Sequence, residues 1–333
     1  MRAFGVWFVI LSRFVGGVGS VVTPVHPSTR IVLGHQVNQF DTPFYCTLYV
    51  EFEDDAGTGL CGCVLIGEDQ VLTAGHCVLR HDASAPTFVQ KARSISVRLY
   101  GGMHPTDGAL VRVNMSGVRT HPEFRAQDMF ADVAILRVPG TRRIEALTHL
   151  VLNGDRHAWD MLTDWDRLSV IGVGLDRNQA LSLGAPRAAH LSRRSCSNPV
   201  RYGNLRPWAS EWQHNDICAG PFGPCDANER CSSSCNGDSG GPLYRRLSNG
   251  TIIVFGVVSR GTQDCGFNGN GGGRPGIYVP TDLHTEFVKK HNAYSGSRAH
   301  GTRTRNTLLR NSQKLFDGRQ PRRRQTPEQT LGS

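Results

Sequence analysis

The chain has 333 residues, 39% of them apolar and 20% charged, enough for one large domain or two small ones with a real core. Disordered, collagenous and coiled-coil compositions are excluded. The formal charge of +9 is unevenly spread: residues 1–30 carry three Arg and no acid, residues 294–333 carry nine Lys/Arg and two acids, and the 263 residues between hold 25 basic and 26 acidic groups. A body this close to neutral offers no footprint for nucleic acid, and past the first 20 residues no apolar run approaches the roughly 20 residues of a membrane span.

Arg2 precedes the apolar stretch Phe4 to Leu11, and small residues follow at Gly16, Gly17, Gly19 and Ser20. This is the pattern of a secretory signal over residues 1–20, with Arg13 as an interruption. Residues 21–30 form a short Pro-containing segment ending at Arg30. From residue 31 to about 293, short Val, Ile, Leu and aromatic runs alternate with Gly, Pro, Asp and Asn turns. The runs include Phe44–Glu51, Gly62–Ile66, Ser94–Tyr100, Val133–Val138, Leu168–Val173 and Thr251–Ser259, and they predict an all-β barrel or sandwich. One helix is expected from Thr281 to about His291, capped by Thr281, with Leu283, Phe287 and Val288 as its apolar stripe. Residues 294–333, rich in Arg, Ser, Thr, Gly and Gln, read as a disordered basic tail.

All ten cysteines lie in the body, at 46, 61, 63, 77, 196, 218, 225, 231, 235 and 265. An even count without a CxxC pair favours disulfides over zinc, and disulfides imply an oxidising, extracellular compartment. No metal or cofactor is indicated: the loop Tyr100–Arg112 offers only Asp107 as an acid, too few hard oxygen ligands for calcium. Asn114-Met-Ser116 and Asn249-Gly-Thr251 are N-glycosylation sequons.

The most informative stretch runs from Cys235 to Pro242 and reads CNGDSGGP. A serine hydroxyl is a poor nucleophile until a base takes its proton. A developing oxyanion needs preorganised N–H donors, which a glycine-flanked turn can supply from Gly237 and Ser239. A base candidate is His76, in Leu72-Thr-Ala-Gly-His-Cys77. A group to orient it is Asp132, just ahead of the apolar run Val133–Leu136.

TAGHC, DVAIL and CNGDSGGP, in the order His, Asp, Ser, give a sequence that resembles the trypsin/chymotrypsin family of serine endopeptidases over about residues 31–292. The resemblance implies two six-stranded antiparallel β-barrels, about 31–145 and about 146–280, with the site between them. It implies His76 as general base, Asp132 as its orienter and Ser239 as nucleophile. The run Arg30-Ile31-Val32-Leu33-Gly34 resembles the family's activation junction, whose cleavage frees an Ile31 ammonium to pair with Asp238; Leu33 replaces the commoner glycine.

By the same resemblance Cys61 joins Cys77, Cys196 joins Cys218, and Cys235 joins Cys265. Cys46 with Cys63, and Cys225 with Cys231, remain as pairs. The specificity pocket has its floor at Ser233, one wall at Ser259, Arg260 and Gly261, and its opposite edge at Gly276. A neutral floor implies large apolar or aromatic P1 residues, because a buried unpaired cation is costly. Arg260 stands where the family has tryptophan and reads as an exposed cation on the rim. The implied partners are protein or peptide substrates, an activating protease and protein inhibitors, with the chain a monomer, secreted and extracellular. A catalytically silent homologue that serves as a binding module is the competing reading.

Overall fold

The computed structural model describes residues 31–52, 58–67, 69–81, 89–100, 110–139, 150–174, 186–196, 215–223, 225, 231–261, 265 and 275–292. The signal stretch, the segment ending at Arg30 and the basic tail lie outside the described residues.

The first half contributes β1 (His35–Gln36), β2 (Tyr45–Glu51), β3 (Thr58–Leu65), β4 (Gln70–Thr73), β5 (Leu79–His81), β6 (Val89–Lys91), β7 (Ser94–Leu99), β8 (Leu110–Arg112), β9 (Arg119–Thr120) and β10 (Ala134–Arg137). The second contributes β11 (Leu150–Leu152), helix α1 (Arg156–Asp160), β12 (Leu168–Gly172), β13 (Arg187–Arg194), β14 (Ile217–Pro221), β15 (Pro242–Arg246), β16 (Ile252–Arg260), β17 (Gly276–Pro280) and helix α2 (Thr285–Asn292). β7 shows why these runs become strands: Ile95, Val97 and Leu99 are buried, while Ser94, Ser96 and Arg98 between them are only partly so. That period of two is what a pleated strand with one core face requires. β16 is buried from Ile252 to Ser259 and is paired on both edges, so it reads as a continuous apolar run.

β13, β12, β15, β16, β17 and β14 follow one another in register, and β14 returns to pair with β13, closing a barrel of six strands. The other half is a seven-stranded sheet in the order β8-β7-β2-β3-β4-β10-β9. The expected second closed barrel is therefore not complete among the described residues. Its end strands β8 and β9 are only three and two residues long and do not pair with each other. β11 joins β16 in parallel, an exception to the antiparallel pattern.

Leu48, Leu65, Ile95, Leu99 and Leu136 fill the first half, and Leu168, Leu191, Phe255, Tyr278 and Trp159 of α1 fill the second. A third cluster joins them: Tyr45, Leu72 and Ile135 from one side meet Ile171, Val254 and Phe287 from the other. Two further connections cross the boundary. β1, at the start of the chain's body, pairs with β13 of the second half (His35 opposite Ala188). At the other end Gln70 Nε2 of β4 donates to the carbonyl of His291 in α2 at 2.8 Å.

The helix begins at Thr285, four residues later than expected. Thr281 is drawn away from capping because its hydroxyl faces the carbonyls of Asn153 (2.8 Å) and Val254 (2.9 Å), and residues 281–284 form turns instead. The ten cysteines form five disulfides: Cys46–Cys63 across directly opposed positions of β2 and β3, Cys61–Cys77, Cys196–Cys218, Cys225–Cys231 and Cys235–Cys265. No helix among the described residues is long and apolar enough to cross a membrane.

Candidate functional site

His76 lies at the boundary between the halves, in a 3₁₀ turn (Gly75–Cys77) that follows β4. The Cys61–Cys77 disulfide ties that turn to β3. Its backbone N–H donates to Asp132 Oδ1 at 2.7 Å, and its ring Nδ1 lies 2.8 Å from Asp132 Oδ2. Asp132 is fully buried, while the His76 side chain is 20% exposed. Ala131, immediately before Asp132, has a left-handed backbone with φ 50°, costly for a residue with a Cβ. The Val133 N–H turns back onto the Ala131 carbonyl at 2.7 Å, so the carboxylate sits on a tight corner ahead of β10.

Ser259 supplies a third donor, its hydroxyl 2.6 Å from Asp132 Oδ2. The expectation placed Ser259 only in a pocket wall. The signal available for its second role was its small hydroxyl at the end of a fully buried strand, a group that must find an acceptor. Burial opposes charge on both members of the His76–Asp132 pair, yet the pairing prevails. Asp132 is held below the usual carboxylate range by His76 and Ser259, and His76 is held above the usual imidazole range by Asp132. A Nδ1–H donated to the carboxylate leaves Nε2 as the proton acceptor.

Ser239 sits in a turn from Cys235 to Gly241, which is closed by Asp238 N–H to Cys235 O (3.0 Å) and Gly241 N–H to Asp238 O (2.9 Å). Gly240 in this turn has φ 80°, and a Cβ there would stand 2.1 Å from Thr73 Oγ1, so only glycine lets the turn lie against β4. The Ser239 carbonyl accepts from Gly62 N–H of β3 at 2.7 Å. The turn is thereby brought alongside His76, but the Ser239 hydroxyl makes no hydrogen bond to it in this structure. Among the described residues the N–H groups of Gly237 and Ser239 have no acceptor, as donors waiting for an oxyanion should be.

Asp238, beside Ser239, is fully buried and accepts from Cys235 N–H (2.7 Å) and Gly174 N–H (2.8 Å). Among the described residues no cation pairs with it, and burial pushes its carboxyl up to about 7 against those two hydrogen bonds. Ile31 is also fully buried, and the Val32 N–H donates to the Ser233 carbonyl at 3.0 Å. The segment that follows Arg30 thus enters the second half beside Ser233. Ser233 itself is buried, its hydroxyl donating to Ser234 O at 3.0 Å. Gly276 opens β17, and Gly261 follows β16 at the surface. Asp226 and Glu229, inside the Cys225–Cys231 loop, lie outside the described residues.

Arg260 corrects an expectation. It is not an exposed rim cation: its side chain is 14% exposed, and its Nη2 pairs with the carboxylate of Asp216 just ahead of β14. Sequence spacing could not bring residues 44 positions apart together. Behind Asp132 lies a cavity of about 180 Å³ whose walls include Asp216, Phe130 and His284. Asn114 and Asn249 both stand exposed in tight turns, their Oδ1 atoms accepting from Ser116 N–H and Thr251 N–H at 3.0 Å. Donor atoms of Cys61, His76 and Cys77 lie within 4.8 Å of one another, but the two sulfurs are bonded to each other and cannot serve as thiolate ligands.

The family model described as Trypsin matches residues 31–288. CLIP domain-containing serine protease B8 of Anopheles gambiae is 25% identical over 287 residues, a match covering 78% of this chain and 66% of that protein. Trypsin 5G1 of Aedes aegypti is 28% identical over 270 residues, covering 79% and 85%. The solved structure of HL collagenase superposes with a TM-score of 0.56 at 19% identity, covering 79% of this chain and 99% of that one, and shares its fold. With the family's model spanning the whole of the folded body, the chain belongs to the trypsin family of serine proteases.

Proposed function

We propose that the protein is an active, secreted serine endopeptidase, made as a zymogen and switched on by cleavage after Arg30. The observation that carries this reading is the fully buried Asp132, whose two oxygens accept from the backbone and ring of His76. A buried carboxylate spent on orienting one largely buried imidazole has a chemical purpose: it fixes the tautomer and stabilises the imidazolium.

In the proposed reaction His76 Nε2 takes the Ser239 proton as Oγ attacks the scissile carbonyl. The Gly237 and Ser239 N–H groups receive the oxyanion. His76 then returns the proton to the leaving amine, and water hydrolyses the acyl-enzyme by the same route. The Ser239–His76 contact is one that tightens in the substrate complex. Cleavage after Arg30 frees the Ile31 ammonium, which supplies Asp238 with the cation it lacks. A buried carboxylate gains several kcal/mol from such a partner, and the gain orders the oxyanion turn. The neutral floor at Ser233 favours large apolar or aromatic P1 residues. Asn114 and Asn249 carry N-linked glycans in the secreted protein.

The test is to cleave the recombinant chain after Arg30 and profile it against a random peptide library. Hydrolysis that is lost in Ser239→Ala supports the reading. No hydrolysis by correctly cleaved, folded protein would instead make it a silent homologue, a binding module on the same scaffold.

A further inference from the structure

A cation stands one hydrogen bond from the Asp132 donor. Arg260, the last residue of β16, donates from Nη1 to Ser259 Oγ at 3.2 Å and from Nη2 to the Asp216 carboxylate. Ser259 Oγ donates in turn to Asp132 Oδ2 at 2.6 Å, the same oxygen that meets His76 Nδ1 at 2.8 Å. The series His76, Asp132, Ser259, Arg260, Asp216 is therefore continuous, and its members come from four separate segments of the chain.

Two features give this arrangement a direction. A guanidinium has donors only, so Ser259 Oγ must accept from Arg260 and has its single proton left for Asp132. Asp216 holds the planar fork in place from the far side. Both ends of the ion pair are shielded, at 14% and 7% exposure, so solvent screens the guanidinium poorly.

We propose that Arg260 is a positioning residue: it commits the Ser259 hydroxyl to Asp132, and its charge weakens that carboxylate's hold on the imidazolium of His76. This rests on the reading of His76, Asp132 and Ser239 as the reacting set. The charged groups around His76 are consistent with it. Asp132 raises the proton affinity of His76, and Arg260 lowers it. Of the neighbouring imidazoles, His284 is held down at about 4 and His121 below its usual value, in both cases chiefly by burial. Asp216 faces Arg260 rather than His76.

The experiment follows the His76 imidazole by NMR in the full chain, cleaved after Arg30 and carrying Ser239→Ala. Arg260→Gln removes the cation and is expected to move the titration midpoint upward by about half a pH unit or more. If that variant fails to fold because Asp216 loses its guanidinium, Arg260→Gln combined with Asp216→Asn removes both charges of the ion pair and moves the midpoint the same way. In the Ser239 background the acid limb of kcat/KM rises by the same amount. A midpoint unchanged in the folded single or double variant overturns the proposal. Because NMR needs no turnover, an inactive parent whose His76 midpoint moves would defeat the proposed function and leave this inference standing; an active parent with an unmoved midpoint would do the reverse.

Discussion

Gly174 N–H donates to Asp238 Oδ1 at 2.8 Å, and the approach leaves no space for a side chain: a Cβ on Gly174 would stand 2.6 Å from that oxygen and from the Asn236 carbonyl. The segment after β12 is thereby keyed to the Ser239 turn through one buried carboxylate. Both neighbours are fixed, one as backbone and one by burial, so the clash cannot be relieved by a rotamer change. Gly174→Ala is expected to lose about 1–3 kcal/mol in denaturant unfolding and to lower peptidase activity with it. Unchanged stability would mean that the turn can retreat from β12.

Asp238 should contribute less and less to the stability of the uncleaved chain as pH rises from about 4 to about 7. Folded Asp238 keeps its proton up to about 7, whereas the unfolded carboxyl releases it near 4. Through this carboxyl the folded state therefore binds more protons between these values, and its contribution to stability falls across that window by a few kcal/mol. Because His284, held at about 4 chiefly by burial, adds stability over the same window, the thermal midpoints of uncleaved Ser239→Ala protein are expected to show a decline only when compared with those of the same protein carrying Asp238→Asn. Cleavage after Arg30 should reduce this decline by supplying the Ile31 ammonium. The same Asp238→Asn chain, once cleaved, should remain largely idle as a peptidase. A pH dependence that is identical with and without Asp238 would show that its carboxyl titrates normally.

Turnover should depend on His76, Asp132 and Ser239 as a unit. Ser239→Ala is expected to lower kcat by roughly 10⁶, and adding His76→Ala should cost little more, since such effects do not add. Steady-state kinetics of the single and double variants decide it: multiplicative losses would mean that the two residues act separately.

Activation should require another protease. The proposed junction presents Arg30 as P1, while Ser233, the proposed pocket floor, carries no carboxylate. Leaving a guanidinium buried and unpaired costs about 3–5 kcal/mol, which disfavours self-cleavage by roughly 10² to 10⁴. Purified zymogen incubated alone is expected to stay intact, and the enzyme cleaved after Arg30 by a trypsin-like protease should prefer Phe, Tyr, Leu or Met at P1. A new N-terminus Ile-Val-Leu-Gly that appears faster at higher zymogen concentration, and never in Ser239→Ala, would reveal an acid in the pocket, with Asp226 or Glu229 as its source.

Strands such as Ser94–Leu99 are legible in the sequence because alternation with period two survives any tertiary context, and the set around Ser239 is legible because its three motifs are local. What escapes is set by partners far along the chain. Thr281 satisfies every local rule for a helix cap, yet the carbonyls of Asn153 and Val254 claim its hydroxyl. Arg260 has the composition of a surface residue until Asp216 arrives beside it. Leu150–Leu152 carries no sign that it will join β16 in parallel.

The exchange of ends, β1 onto β13 and the His291 carbonyl onto Gln70, makes the two halves hostages of each other. The body's first strand is useless until some 150 later residues have emerged to receive it, and its final helix closes back on a strand made near the beginning. Neither half expressed alone has its complement of partners, so fragments split near residues 141–149 should be unfolded apart and fold only when mixed. For a cleft whose proposed reacting groups are divided between the halves, such a cross-lashing keeps the spacing from drifting: the halves cannot swing open without first letting go of both ends.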